Sequence, residues 1–262
     1  MTLFVSDLHL GRGSSAQTRA AERDFAALLE AHEDALLGEG QLVLLGDVFN
    51  HYIEYRHLVP RVAVRLAGLL AQWAARGARI TYVTGNRDLW HLDFFEREIG
   101  VRLVRHGAPA VLEGHRTYIA HGDGFVPSER VYNRLQPLFR SSAMAQLFRM
   151  GLPGDSAYGF AQWVARRFGT DGVPQARAAA EVRAAAARLL ARPDVDLAIL
   201  GHSHTAVCEA LPGGTYLNTG YWFGARHFAC LTPEGPALFR WTGTGAEPLP
   251  GSLAPAPLTA AS

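Results

Sequence analysis

Five apolar segments of the chain each end in a glycine-containing turn that carries side chains able to bind a metal ion. The segments read LFVSDLHLG, LVLLGDVFN, ITYVTGNRD, TYIAHGDG and LAILGHSHT. In chain order the side chains are Asp7, His9, Asp47, Asn86, His121, His202 and His204. A carboxylate at the end of a buried strand strongly resists desolvation, so Asp47 needs positive charge beside it. We therefore predict that these side chains form one metal site.

The donor types restrict the metal and its chemistry. Imidazole and carboxylate donors without a thiolate suit Mn, Fe, Zn or Co. Seven candidate ligands are too many for one ion, whereas two ions that share a carboxylate use them all. Asp47 follows the central strand and is the best candidate for that bridge. Two ions about 3.5–4 Å apart clamp a phosphoryl group and activate a water for in-line attack.

Each motif taken alone has an ordinary structural explanation. A single D-x-H, GD or GN sequence after a strand is usually a turn or a helix cap, and an isolated histidine is usually a core or surface residue. We apply that interpretation to the remaining histidines His32, His57, His106, His115 and His227, and assign no role to His51 and His91. Five motifs that each follow an apolar strand are a stronger pattern, and they favour the metal site.

The elements that position these residues follow a βαβαβαβ order. Helices are predicted over Ala16–Leu37 and Pro60–Arg76, between the first three strands. Such an order favours an α/β sheet covered by helices, with sites beyond the carboxyl ends of the strands. The short strands after residue 195 predict a second sheet. We expect a two-sheet β-sandwich flanked by helices, a four-layer α+β arrangement with a helical insertion.

Length and composition set further bounds. At 262 residues the chain fits one domain, predicted over 1–242, with a flexible C-terminal tail over 243–262. The net charge of +1 gives no electrostatic case for a nucleic-acid partner. All 25 basic residues are Arg, which excludes Schiff-base lysine chemistry. The two cysteines, Cys208 and Cys230, are expected to be free buried thiols, and we expect a cytoplasmic protein.

Residues from about 125 to 170 break the strand pattern and are predicted to form a helical cap over the site. Between Arg130 and Asp155 the segment has no acidic residue, and four arginines stand among Leu, Phe and Met. The family resemblance described below implies a substrate with two acyl chains and a pyrophosphate, which an apolar segment with arginines would suit. The alternative is an ordinary cap that packs its apolar residues on the core.

The motif set DLHLG, GDVFN, GNRD, HGDG and GHSHT resembles the calcineurin-like metallophosphoesterase superfamily over residues 1 to about 240. The resemblance implies two divalent metal ions. It places Asp7, His9, Asp47 and His204 around the first ion. It places Asp47, Asn86, His121 and His202 around the second, and implies catalytic roles for Asp47, Asn86 and His202.

One position departs from the common superfamily pattern, because Arg87 stands where most members have a histidine. Arg is always protonated and cannot act as a general acid, but it grips phosphate bidentately. With the insertion, this makes the chain similar to the UDP-2,3-diacylglucosamine diphosphatase family of lipid A biosynthesis. That resemblance implies Mn and hydrolysis to UMP and lipid X. It also implies substrate binding by Asn86, Arg87, Glu129 and His202.

Other functions remain open on the sequence. The family resemblance implies a lipid-linked nucleotide substrate and peripheral contact with the cytoplasmic face of the inner membrane. The main alternative is another metallophosphoesterase that acts on a soluble nucleotide, a phosphodiester or a phosphoprotein. A third alternative is a scaffold without catalysis, which the complete ligand set disfavours. The sequence does not specify the oligomeric state or the acyl-chain preference.

Overall fold

Two β-sheets packed face to face form the centre of the molecule. The structure is a computed structural model that describes residues 1–151, 155–156, 158–160, 162–163 and 173–250. The first sheet is built from strands near the two ends of the described chain, and the second from the strands between them. The predicted two-sheet sandwich flanked by helices is confirmed.

The first sheet has seven strands in the order β12-β11-β10-β1-β2-β3-β4. Its strands β1, β2, β3 and β4 are parallel, and the other pairs are antiparallel. The strands are β1 (Thr2–Val5), β2 (Gln41–Leu45), β3 (Arg79–Val83), β4 (Arg102–Val104), β10 (His227–Thr232), β11 (Gly235–Trp241) and β12 (Ala246–Pro248). Because β1, β2 and β3 are parallel, their carboxyl ends meet at one edge of the sheet.

The second sheet has five strands in the order β5-β6-β7-β9-β8. The pairs β6–β7 and β7–β9 are parallel. The strands are β5 (Ala108–Leu112), β6 (His115–Ile119), β7 (Leu197–Leu200), β8 (Val207–Leu211) and β9 (Gly214–Asn218). The carboxyl ends of β6, β7 and β9 therefore also meet at one edge.

Helices complete the described part of the chain. They are α1 (Ser15–Ala31), α2 (Glu33–Leu37), α3 (Val64–Ala75), α4 (Phe94–Arg97), α5 (Arg130–Phe139), α6 (Ser142–Gly151), α7 (Gln175–Leu190) and α8 (Trp222–Ala225). Residues 61–63 form a 3₁₀ turn before α3. Within the described ranges, no helix is both long enough and apolar enough to cross a bilayer.

Three apolar layers hold these elements together. One layer packs α1 and α3 on the outer face of the first sheet, and another packs α7 on the outer face of the second. The third lies between the sheets and includes Phe4 and Val43 from the first and Ile119 and Leu217 from the second. Alternate residues of each strand point to opposite faces, so each buried strand serves two layers.

Two predicted boundaries were wrong. The predicted helix over Ala16–Leu37 is interrupted at His32, whose buried ring donates from Nδ1 to the Leu28 carbonyl at 2.8 Å and packs edge-on against Phe228. The predicted tail begins too early, because Ala246–Pro248 pairs with β11 as an edge strand. The end of the predicted tail, 251–262, lies outside the described residues.

The layer between the sheets provides a stability prediction. Phe4 is fully buried there, so Phe4→Ala should lower the free energy of unfolding by about 3–5 kcal/mol through lost burial and the cavity left behind. Urea unfolding followed by far-UV circular dichroism measures this. The control is Val111→Ala on β5, where the side chain is 74% exposed and the change should stay within about 0.5 kcal/mol. Equal effects of the two variants would contradict this packing arrangement.

Candidate metal centre

Parallel strands of both sheets bring the predicted ligands to one place. Asp7 and His9 follow β1, Asp47 follows β2 and His121 follows β6. Backbone hydrogen bonds tie the first two loops together, since Asp7 N donates to Gly46 O at 3.0 Å and His9 N donates to Asp47 O at 2.9 Å. In the second sheet Gly201 N donates to His121 O at 2.7 Å. Backbone hydrogen bonds between neighbouring loops thus hold Asp7, His9 and His121 in position.

Many of the ligand residues have an unusual backbone conformation. Seven non-glycine residues of the described chain have positive φ, and five of them are predicted ligands. They are Asp7 (φ 54°), His9 (42°), Asp47 (49°), His202 (69°) and His204 (56°). The left-handed region is unfavourable for residues with a Cβ and tends to occur at functional sites. Here it turns side chains at the ends of strands inward to a common centre.

Gly85 is required by the close approach of two ligand loops. A Cβ atom at this position would lie 2.2 Å from Asp47 Oδ1 and 2.5 Å from Asp47 N. Only glycine allows Asn86 and Asp47 to approach so closely. This is the physical reason for the GN sequence after β3.

One cluster of donor atoms is formed by Asp7, His9 and His204. His204 Nε2 lies 3.1 Å from Asp7 Oδ1 and 3.1 Å from His9 Nε2. His9 Nε2 lies 3.5 Å from the same Asp7 oxygen. Two imidazole nitrogens and one carboxylate oxygen therefore converge on a small volume.

A second cluster shares Asp7 and adds Asp47 and His121. The two Asp47 oxygens face different histidines. Oδ1 lies 3.5 Å from His121 Nε2, and Oδ2 lies 3.9 Å from His9 Nε2. His202 joins this cluster, because its Nδ1 lies 3.3 Å from His121 Nε2. The carboxylate of Asp47 thus has the orientation that a bridge between two cations requires.

The unsatisfied atoms of the site fit a cation. Asn86 Oδ1 and Asp7 Oδ1 are buried oxygens without a hydrogen-bond donor. Buried polar atoms are normally hydrogen-bonded, so such atoms need an explanation. Both belong to predicted ligands, and a divalent ion would satisfy them. We conclude that the residues present suit a bound divalent metal.

The electrostatics favour positive charge at the same point. Burial alone would raise the pKa of Asp47, but the neighbouring His121 lowers that pKa below its ordinary value. Burial opposes protonation of His121, yet the carboxylates of Asp47 and Asp7 raise its pKa well above the usual range. Buried carboxylates therefore attract cationic charge to this site.

Two of the histidines are held by hydrogen bonds on the ring atom that faces away from the cluster. His121 Nδ1 donates to the Leu45 carbonyl at 2.9 Å. His202 Nε2 donates to Glu129 Oε1 at 2.8 Å, so Glu129 lies directly behind this ligand. Such partners orient the imidazole and determine its tautomer.

Asp88, which the sequence analysis did not single out, joins the loops beneath the site. Its carboxylate accepts hydrogen bonds from Val48 N at 2.7 Å, Gly85 N at 2.7 Å and the Tyr82 hydroxyl at 2.6 Å. Burial and the nearby charge of Asp47 raise the pKa of Asp88 to about 6. The acid at the end of the GNRD sequence therefore binds backbone from the loops after β2 and β3.

The structure also shows where Arg87, His51 and His91 lie relative to the donor clusters. Arg87 N donates to Asp47 Oδ1 at 2.9 Å, and Arg87 Nε lies 3.7 Å from Asp47 Oδ2. His91 is stacked on Tyr52 with ring centroids 4.3 Å apart, inside an aromatic cluster. His51 is buried and meets the ring of Tyr158 edge-on. Arg87 is thus at the site, whereas His91 is a core residue.

The structure brings six of the predicted ligands together, with Arg87 and Glu129 beside them. Asn86 follows Gly85, whose backbone closely approaches Asp47. The roles of the predicted residues as ligands and substrate contacts stay predictions. The sequence analysis missed Tyr221, which stacks on His204 with ring centroids 4.4 Å apart. The same pattern that located the ligands could have found it, because GTYLNTG is another apolar strand that ends in glycine just before Tyr221.

The fold and this site define a class of protein. The chain belongs to the calcineurin-like phosphoesterase family, whose model matches residues 1–206. This confirms the predicted superfamily and the prediction of a hydrolase. Proteins of this family use divalent metal ions, in agreement with the two donor clusters.

Similar proteins narrow the comparison within the family. The chain is 32% identical over 227 residues to a UDP-2,3-diacylglucosamine hydrolase of Porphyromonas gingivalis, covering 79% of this chain and 84% of that protein. Proteins of the same name from Ralstonia nicotianae and Shewanella sp. are 30% and 27% identical. Those alignments cover 80% and 89% of this chain, and 80% and 94% of the relatives. The predicted likeness to this group is confirmed.

The left-handed backbone at the ligands leads to a stability prediction. His204 has φ 56° and a partly exposed side chain, so its loss removes little packing. With EDTA present, His204→Gly should be more stable than His204→Ala by about 1 kcal/mol, because glycine adopts this conformation without strain. Urea unfolding of the two variants measures the difference. A more stable alanine variant would show that the position carries no backbone strain.

Proposed function

We propose that this protein hydrolyses the pyrophosphate of UDP-2,3-diacylglucosamine. A water attacks the α-phosphate, the bond to the bridging oxygen breaks, and the products are UMP and lipid X, which is 2,3-diacylglucosamine 1-phosphate. The relatives named for this hydrolysis support the proposal over about four fifths of the chain. The substrate carries two acyl chains, so the reaction belongs at the cytoplasmic face of the inner membrane.

The observation that carries the proposal is the apolar exposed surface of the insertion. Among the described residues, nine large hydrophobic side chains are exposed, and six of them lie between residues 131 and 163. They are Val131, Leu138, Leu147, Met150, Phe160 and Trp163. Exposed apolar patches on soluble domains usually mark binding surfaces. Acyl chains are the part of the proposed substrate that such a surface suits.

The insertion lies against the loops that carry the ligands. Trp90, four residues after Asn86, donates from Nε1 to Phe139 O at 2.6 Å and packs on Phe148 with ring centroids 4.5 Å apart. Glu129, just before α5, contacts His202. The apolar surface and the metal centre are thus within reach of one amphipathic substrate.

Two of the four arginines of the insertion have a different role from the one predicted. Arg140 forms a buried ion pair with Asp123 at 2.7 Å and also donates to Arg105 O. Arg149 Nε donates to Glu54 O at 2.6 Å. These two arginines anchor the insertion to the domain and are engaged by protein groups rather than directed to a pyrophosphate.

The roles we propose follow the donor positions. Asp7, His9, Asp47 and His204 would hold one ion, and Asp47, Asn86, His121 and His202 the other. We favour Mn over Fe, Zn or Co. Two such ions would stabilise the negative charge on the phosphoryl oxygens as Lewis acids and would lower the pKa of a water. Asn86, Arg87, His202 and Glu129 would bind and orient the substrate, and Asp47, Asn86 and His202 would act in catalysis.

Arg87 accounts for the choice of leaving group. A guanidinium stays protonated, so it binds phosphate but donates no proton in catalysis. A phosphate monoester has a second pKa of about 6 and leaves as an anion without protonation. An alcohol leaving group would need a general acid. Arg87 therefore supports cleavage of a pyrophosphate over cleavage of an alkyl ester.

The alternative is hydrolysis of a soluble nucleotide, a phosphodiester or a phosphoprotein at the same centre. It needs the metal site but not the apolar face of the insertion. A scaffold without activity needs neither. The three functions therefore differ in which substrates the protein hydrolyses.

Direct assay of turnover distinguishes them. Mn²⁺-loaded protein should release UMP from UDP-2,3-diacylglucosamine, EDTA should stop the reaction, and Asp47→Ala should abolish it without unfolding the domain. Bis-p-nitrophenyl phosphate is assayed in parallel. Turnover of that diester alone would retain the metal centre and reject the lipid substrate. No turnover of either compound would favour the scaffold.

Variants of the insertion test the acyl-chain surface separately. Leu147 on α6 is 65% exposed, so Leu147→Glu should preserve the fold and remove apolar contact area. Loss of about 1.4 kcal/mol of binding should raise the KM for the lipid substrate about tenfold. The rate with bis-p-nitrophenyl phosphate should stay unchanged. The matched control is Val64→Glu, 60% exposed on α3, and an equal effect there would argue against a specific lipid surface.

A further inference from the structure

Tyr221 is an aromatic residue at the metal centre for which the proposed reaction gives no role. It follows β9, whose neighbour β7 precedes His202 and His204. Its ring is stacked on His204 with centroids 4.4 Å apart and an interplanar angle of 12°. It also meets His9 edge-on at 5.8 Å. One tyrosine thus contacts both histidines of the first donor cluster.

His204 differs from the other histidine ligands in its exposure. Its side chain is 28% exposed, whereas those of His9, His121 and His202 are at most 5% exposed. His121 and His202 are oriented by hydrogen bonds from their outer ring nitrogens. The parallel ring of Tyr221 covers one face of the His204 ring, and His9 meets His204 edge-on with ring centroids 5.1 Å apart.

The backbone that follows Tyr221 is hydrogen-bonded to the loop that carries Asp7. Trp222 N donates to Ser6 O at 3.3 Å, and Phe223 N donates to Asp7 O at 3.2 Å. The fully buried Trp222 ring donates from Nε1 to Ala21 O at 3.1 Å. The tyrosine therefore stands on a segment that is held against the same loop as Asp7.

Gly224 provides the space in which the Tyr221 ring lies. A Cβ atom at Gly224 would lie 2.3 Å from Tyr221 Cε1 and 2.7 Å from its Cδ1. The ring is thus confined between the backbone of α8 and the imidazole of His204. A methyl group at position 224 would displace the ring without removing it.

We propose that Tyr221 is a positioning residue that sets the ring plane of His204 by stacking. The lone pair of an imidazole nitrogen lies in the ring plane, so fixing that plane directs Nε2 toward the first donor cluster. The stack does for His204 what Leu45 O does for His121 and Glu129 does for His202. This inference rests on the proposed metal centre, and it concerns the ring rather than the hydroxyl of Tyr221.

Metal binding without substrate tests the inference. In Mn²⁺ titrations of the full chain, followed by the electron paramagnetic resonance of free Mn²⁺, Tyr221→Ala should weaken one of two binding steps about 10–100-fold. Tyr221→Phe keeps the stack and should bind within about twofold of wild type. Gly224→Ala should reproduce the effect of Tyr221→Ala. The visible spectrum of bound Co²⁺ should change in the alanine variants and not in Tyr221→Phe.

A matched control distinguishes displacement of the Tyr221 ring from a general effect of replacing glycine with alanine. Gly68 lies in α3 with open space around its Cα, so Gly68→Ala should leave both binding steps unchanged. Wild-type binding of two Mn²⁺ by both Gly224→Ala and Tyr221→Ala would overturn the role of Tyr221 and leave the proposed function intact. Failure of the wild-type protein to bind Mn²⁺ would overturn both. Thermal unfolding by circular dichroism verifies that each variant is folded.

Discussion

The burial of two neighbouring carboxylates is the constraint on which the rest of this structure depends. Asp7 is fully buried and Asp47 is 2% exposed, and their side chains share one donor cluster. Such an arrangement is unfavourable unless positive charge and hydrogen-bond donors surround it. Imidazoles from both sheets surround it here, and Ser6 and Arg87 N donate to its oxygens. The strand ends of both sheets that carry these imidazoles must therefore meet around the two carboxylates.

The two sheets and the insertion contribute different kinds of group around this site. The sheets fix the relative positions of charged groups through short backbone hydrogen bonds between neighbouring loops. The insertion contributes few polar groups to the centre and presents apolar side chains to solvent. Its anchors Arg140 and Arg149 contact Asp123, two residues after His121, and the carbonyl of Trp90, four residues after Asn86. The charged centre and the exposed apolar side chains thus belong to different parts of the chain that contact each other.

Much of this arrangement could be predicted from the sequence, because an apolar strand followed by glycine and a ligand-type residue is a local pattern. The seven candidate ligands follow from that pattern. The assignment of strands to sheets does not, because β10 and β11, which follow residue 195, lie in the first sheet and not in the predicted second one. The left-handed backbone at Asp7 or His204 does not, since only contacts between distant loops impose it. For the same reason the sequence did not reveal the anchoring roles of Arg140 and Arg149. The break at His32 depends on a tertiary contact with Phe228, which helical periodicity does not contain.

The left-handed conformation of five ligand residues also affects how this protein can evolve. At each of these positions a change to glycine would relieve the backbone and delete a predicted metal donor in one step. Selection for a stable fold alone would therefore erode the centre, while the sheets and their cores would persist. At these five residues glycine would favour a stable fold, whereas the predicted metal site needs the side chain that is present. A descendant without activity would be recognised by glycines at the ends of intact strands.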